Sequence, residues 1–196
     1  MKYVITIGRE YGSGGRFIGK MVAEKLGIKF YDNELLIEAA KESGMSETVF
    51  KNFDEKKDSF FGAGIGMYSF DMSLSQKVFL AQFDAIKNIA DKESCVIVGR
   101  CADYVLKDDP NLCSIFICAP MSDKVERAVN FYGVKKENAE SVIIKRDKKR
   151  RSYYNFYTDK EWGMAPNYDL CINSKIGVDN CVNLIVSYVK ERFDLE

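Results

Sequence analysis

The run ITIGREYGSGGRFIGKMVAEKLGIKFYDN, from Ile5 to Asn33, decides the fold. It opens on β-branched residues that suit a strand, passes through a glycine-rich turn, and continues as a helical pattern. Gly12, Gly14 and Gly15 allow the positive φ angles and close approach that a nest of backbone N–H groups requires. A turn of this kind aims those donors, and the positive end of the helix dipole, at one point where phosphate binds. No lysine follows the glycines where such a loop normally carries one. The same spacing also serves a tight strand-to-helix turn with no ligand.

Working outward, four apolar runs read as buried strands: YVITI (3–7), CVIVG (95–99), CSIFICA (113–119) and DLCIN (169–173), with IKFYD (28–32) as a weaker fifth. They are rich in Val and Ile and nearly continuous, as strands covered on both faces are. Helical periodicity fills the gaps. Phe17, Ile18, Met21, Val22 and Leu26 form one stripe ended by Gly27. Further helices are predicted over Leu35–Lys41, Gln76–Lys92, Ser122–Phe131, Glu137–Tyr157 and Val178–Phe193. Strands alternating with helices predict an α/β fold, with a central parallel sheet of about five strands and helices on both faces.

A chain of 196 residues, 46% apolar and 30% charged, is expected to form one globular domain over 1–196. The 29 basic and 29 acidic side chains cancel, so no nucleic-acid or membrane partner is expected. The oligomeric state is not legible. The apolar run before Gly8 is too short for a signal peptide, and no segment is long enough to span a bilayer, so a cytoplasmic protein is expected. Six cysteines without CxxC spacing suit a reducing compartment. Cys95, Cys113, Cys118 and Cys171 read as small buried hydrophobes. The chain has no histidine, which removes the Ser-His and Cys-His mechanisms. Catalysis must then rest on carboxylates, arginines, backbone amides or a bound metal.

Two regions break the rhythm. Residues 44–75 join a charged stretch to the glycine- and aromatic-rich FFGAGIGMYSFDMS, and read as a surface excursion or a substrate cover. Residues 145–163, KRDKKRRSYYNFYTDKEWG, combine seven basic residues with tyrosines at 153, 154 and 157. Arg146 and Arg150 are four apart, and Asp147 is three from Arg150 and four from Arg151, so all can share one helix face. A solvated helix held by ion pairs and an RNA-binding strip are the other readings of such a run.

These segments together resemble the bacterial cytidylate kinases, and more closely the cytidylate kinase-like proteins that open with a similar ITI…R.YGSGGR…YD. The resemblance continues through CVIVGRCADYVL (95–106), RDKKRRSYYNFYT (146–158) and APNYDLCINSKIG (165–177), and so covers nearly the whole chain. It implies a three-layer nucleoside-monophosphate-kinase-like fold with a helical lid over 145–163 and an acceptor side at 44–75. In ungapped register with the P-loop pattern GxxxxGK[ST], the lysine falls on Gly15, the opening glycine on Arg9 and the hydroxyl residue on Arg16 or Phe17. Arg16 or Arg9 would have to return the missing cation, and arginine is not a like-for-like substitute for a compact ammonium.

The likeness implies ATP held by Gly12, Ser13, Gly14, Gly15 and Arg16, with Arg151 closing on it, and Mg²⁺ held mostly by phosphates and water because no dedicated protein ligand is visible. Asp32 would orient the acceptor, although an Asp before a helix also serves as its cap. Arg100, straight after a buried strand, would grip the acceptor phosphate. Cys101 stands where the family's GRD has aspartate. Asp147 and Arg150 fall at the lid's D…R positions and, with Asp32 and Arg100, would bind the acceptor. Arg16, Arg146, Arg150 and Asp32 form the expected catalytic set, because charge on a transferring phosphoryl must be neutralised. Tyr11 would cover a nucleobase or the loop. The expectation is phosphorylation of a nucleoside monophosphate, CMP by default. Its rival is a nucleotide-binding module that keeps the cradle without turnover, which the missing lysine and the altered GRD suit.

Overall fold

The computed structural model describes residues 2–42 and 74–196. The expected 44–75 excursion lies outside them, apart from its last two residues. Five strands form one parallel sheet in the order β2-β3-β1-β4-β5. They are β1 (Val4–Arg9), β2 (Lys29–Tyr31), β3 (Cys95–Val98), β4 (Leu112–Cys118) and β5 (Leu170–Asn173). All five expected strands are present. β1 runs two residues past the apolar stretch because Gly8 and Arg9 stay in register with Phe116 and Ile117 of β4.

Seven α-helices lie among the described residues: α1 (Gly15–Leu26), α2 (Asn33–Glu42), α3 (Leu74–Lys92), α4 (Ala102–Val105), α5 (Met121–Tyr132), α6 (Ala139–Tyr157) and α7 (Val178–Phe193). Gly27 closes α1 in the left-handed conformation at φ 64°, and its N–H donates back to Glu24 O. The four-residue α4 was not foreseen, since it is too short to carry a periodic pattern. A single 3₁₀ turn, Lys136–Asn138, precedes α6, where the sequence predicted the α-helix itself.

Alternation along the strands sorts the core into two layers. Ile5, Ile7, Val96, Val98, Ile115 and Ile117 pack against Ile18 and Val22 of α1 and Val182, Ile185 and Val189 of α7. On the opposite face Val4, Cys95, Ile97 and Leu112 meet Leu36, Ile86 and Ile89. Each fully buried isoleucine contributes about 1.5–3 kcal/mol. A third, aromatic layer of Phe116, Tyr154, Trp162 and Tyr168 seats α6 over the carboxyl ends of the strands. Cys95, Cys113, Cys101 and Cys181 are buried, and burial pushes the first three thiols up to about 12. Cys171 departs from expectation. It is exposed, on β5, the edge strand of the sheet. No helix among the described residues is long and apolar enough to cross a membrane.

Candidate active site

The turn between β1 and α1 is a glycine loop for reasons that packing makes concrete. Gly12 and Gly14 sit at φ 80° and 82°, where a side chain is strained. A Cβ on residue 12 would lie 2.7 Å from the carbonyl oxygen of Lys124. The loop is tied down from several sides. Tyr11 N–H donates to Asp147 Oδ1 at 2.6 Å, Ser13 Oγ donates to Glu10 O at 2.9 Å, and Gly15 N–H donates to Ser13 Oγ at 3.4 Å. Arg127 Nη1 donates to Gly12 O at 3.2 Å, and Ser174 Oγ to Ser13 O at 2.7 Å. The N–H groups of Gly12, Gly14 and Arg16 have no acceptor among the described residues. Unpaired donors at the head of a helix are the inventory of an anion site.

Arg16 and Asp32, expected to act separately, are held by one another. Arg16 Nε donates to Asp32 Oδ2 at 2.8 Å, and its Nη2 lies 2.6 Å from the same oxygen. Asp32 Oδ1 meanwhile accepts from the N–H groups of Glu34 and Leu35, capping α2. Burial alone would raise the Asp32 carboxyl. The Arg16 guanidinium and the two amides outweigh it and hold the group below its ordinary range. The Arg16 side chain is 65% exposed and is not among the residues that line the cleft described next.

That cleft, of about 380 Å³, opens at the carboxyl ends of β1 and β3 beneath α6, where open α/β sheets bind ligands. Arg9, Arg100, Arg146, Lys149 and Arg150 line it, and Asp103 is its single carboxylate among the described residues. Arg100 stands in a left-handed turn with Gly99 and Cys101, at φ 82°, 57° and 55° in succession. Rings shelve the guanidinium groups: Arg100 lies 5.4 Å from the centre of Tyr153, Arg146 4.8 Å and Arg150 5.7 Å from that of Tyr11. Tyr11 packs also on Tyr132 at 5.3 Å, so arginines and a tyrosine cover its ring. Burial, with Arg150 and Arg100 nearby, pushes the Arg9 guanidinium down to about 9. Arg151 stands apart, 5.8 Å from the centre of Trp162.

Asp103 anchors the apolar side. Tyr154 Oη donates to its Oδ2 at 2.7 Å, and Gly163 N–H donates to Tyr168 Oη at 3.3 Å. Burial raises the Asp103 carboxyl despite the tyrosine donor, and raises Tyr154 as well. Asp147, expected at the acceptor, faces inward instead. It is buried, and its Oδ2 lies 3.3 Å from Lys124 Nζ, which also reaches Glu10 Oε2 at 3.2 Å. Its role in the geometry is to fasten α6 to the loop, since Oδ1 takes the Tyr11 amide. Sequence reading missed Lys124, Arg127 and Glu10. For Lys124 and Arg127 the only signal was a polar helix after β4, indistinguishable from a solvated face, and Glu10 carried none beyond its place in the loop run. Among the described residues no group of three or more carboxylates and thiols converges as a metal cage.

Comparison with known proteins fits this geometry. Residues 4–176 match the model of the cytidylate kinase-like family. The chain belongs to that family. This cytidylate kinase-like chain is 29% identical over 179 residues to a protein named cytidylate kinase from Pyrococcus horikoshii, covering 88% of its own length and 80% of that relative. An uncharacterized protein from Eubacterium ventriosum is 34% identical, with a TM-score of 0.76 over 96% of this chain and 99% of that one. Shikimate kinase from Bacteroides thetaiotaomicron, 16% identical with a TM-score of 0.56 over 98% and 99%, shares the fold. The family member described here therefore shares its fold with shikimate kinase.

Proposed function

We propose that this protein is a cytoplasmic ATP-dependent phosphotransferase acting on a nucleoside monophosphate, with CMP the first candidate, or on a related small anion. The observation that carries the reading is the cation-lined cleft. Among the described residues Arg9, Arg100, Arg146 and Arg150 line it with Asp103 as the one carboxylate, and guanidinium groups gathered in this way are costly unless an anion joins them. The names of the curated relatives support the nucleotide as acceptor.

In this reading the triphosphate tail lies on the free N–H groups of Gly12, Gly14 and Arg16, at the positive end of α1. Arg127, hydrogen-bonded to Gly12 O, steadies the loop from the donor side. Arg100 receives the acceptor phosphate. Arg146 and Arg150 leave the Tyr11 ring to neutralise the transferring oxygens, which carry most of the charge in a dissociative transfer. Arg151 closes the donor side. Mg²⁺, when bound with ATP, supplies further neutralisation of the phosphates, and phosphates and water hold it.

ADP release, measured over the four ribonucleoside monophosphates, tests the proposal. One acceptor, CMP first, is expected to stimulate release. A second reading, a nucleotide-binding module without turnover, draws on glycine at the lysine position and on the engagement of Arg16 by Asp32. ATP binding with no stimulation by any acceptor would decide for it.

A further inference from the structure

A P-loop carries glycine at its first position and lysine at its seventh. Here the two are exchanged in bulk, with arginine at 9 and glycine at 15. Packing shows that the exchange is concerted. A Cβ on residue 15 would stand 2.6 Å from Arg9 Cβ and 3.1 Å from its Cγ. Further along, a Cβ on residue 99 would stand 1.9 Å from Arg9 Nη1. The Arg9 side chain thus fills the corridor between the loop and the end of β3, and two glycines make room for it. A side chain at 15 and an arginine at 9 exclude each other.

The Arg9 guanidinium reaches the cleft, and no carboxylate or carbonyl among the described residues accepts from it. Its charged neighbours are Arg150, Arg100, Arg16 and Asp32. Asp32 is already taken by Arg16, and Arg150 donates to the Arg9 carbonyl oxygen at 3.0 Å. Among the described residues, then, the Arg9 guanidinium lines the cleft without an acceptor of its own.

We propose that Arg9 is the phosphate-gripping cation of this loop, entering from the strand side to do what a lysine at position 15 does in a P-loop. Its ligand is a phosphate group lying between the loop and Arg100. The assignment rests on the phosphate-binding reading of the cleft, and it does not require turnover.

Inorganic pyrophosphate, titrated calorimetrically into four proteins, tests it, with thermal unfolding of each protein in the absence of ligand. Wild type binds. Arg9→Met weakens binding by roughly tenfold or more, while its ligand-free Tm stays level or rises, because a cation repelled by its neighbours has gone. Gly15→Lys alone loses binding through the clash with Arg9. The double variant Arg9→Gly with Gly15→Lys regains it to within several-fold of wild type. Equal pyrophosphate affinity in wild type and Arg9→Met would overturn the assignment of Arg9 alone, as would a Gly15→Lys protein that binds normally. A wild-type protein that binds no pyrophosphate would overturn the phosphate reading of the cleft and Arg9 with it.

Discussion

Arg100 shows how much backbone this protein commits to one guanidinium. Non-glycine residues at positive φ cost about 1–3 kcal/mol each, and Arg100 and Cys101 stand there in succession. Replacing Arg100 with glycine is expected to raise unfolding stability in urea by about 1 kcal/mol while weakening CMP binding more than ATP binding. Calorimetry with each nucleotide checks the second half, and equal losses would remove Arg100 from the acceptor side. The Arg16–Asp32 pair makes a different prediction. The folded-state pKa of Asp32 is depressed. The pair's stabilisation is therefore complete above the ordinary carboxylate range and disappears as pH falls through the folded value. Because Arg16 is mostly exposed, Arg16→Ala should cost no more than about 1 kcal/mol at pH 7, with the gap to wild type closing in urea titrations toward pH 3. Asp32 itself was legible only as a double possibility. A sequence shows that a carboxylate precedes a helix, not that its second oxygen meets an arginine 16 residues earlier.

At the scale of elements, the fastening of α6 to the glycine loop depends on a lysine from a third helix. Lys124 of α5 is buried between Glu10 and Asp147. Removing one member of such a cluster strands the opposite charges. Lys124→Met is expected to destabilise by about 3 kcal/mol, and adding Asp147→Asn should recover part of the loss. A double-mutant cycle by urea unfolding reads the coupling, and additive losses would show that the three groups do not act together. The strands and most helices could be read because buried parallel strands write continuous Val and Ile runs, as CVIV at 95–98 does. The Lys124 cluster could not. Its members lie 114 and 23 residues apart, and nothing local distinguishes a buried lysine in SDKVERAV from its solvated neighbours.

For the molecule as a whole, stability and ligand occupancy are linked. A ligand that binds only the folded state at 100 times its dissociation constant adds about 2.7 kcal/mol, so Tm should climb with the logarithm of pyrophosphate or ATP concentration. Added sodium chloride should blunt the rise through screening of the cleft, and a Tm indifferent to both anions would mean that the cleft stays empty in solution. The architecture was legible as a whole because alternation of strand and helix allows few topologies. The placement of the cations was not, since it depends on which side chains the crossovers return to one edge of the sheet. That return also carries a biosynthetic consequence. The glycine loop is translated well before its partners Lys124, Arg127, Asp147 and Ser174. A nascent chain released before residue 174 would lack the last of these struts. The hydrogen bonds that tie the loop down are therefore completed only after residue 174 has left the ribosome.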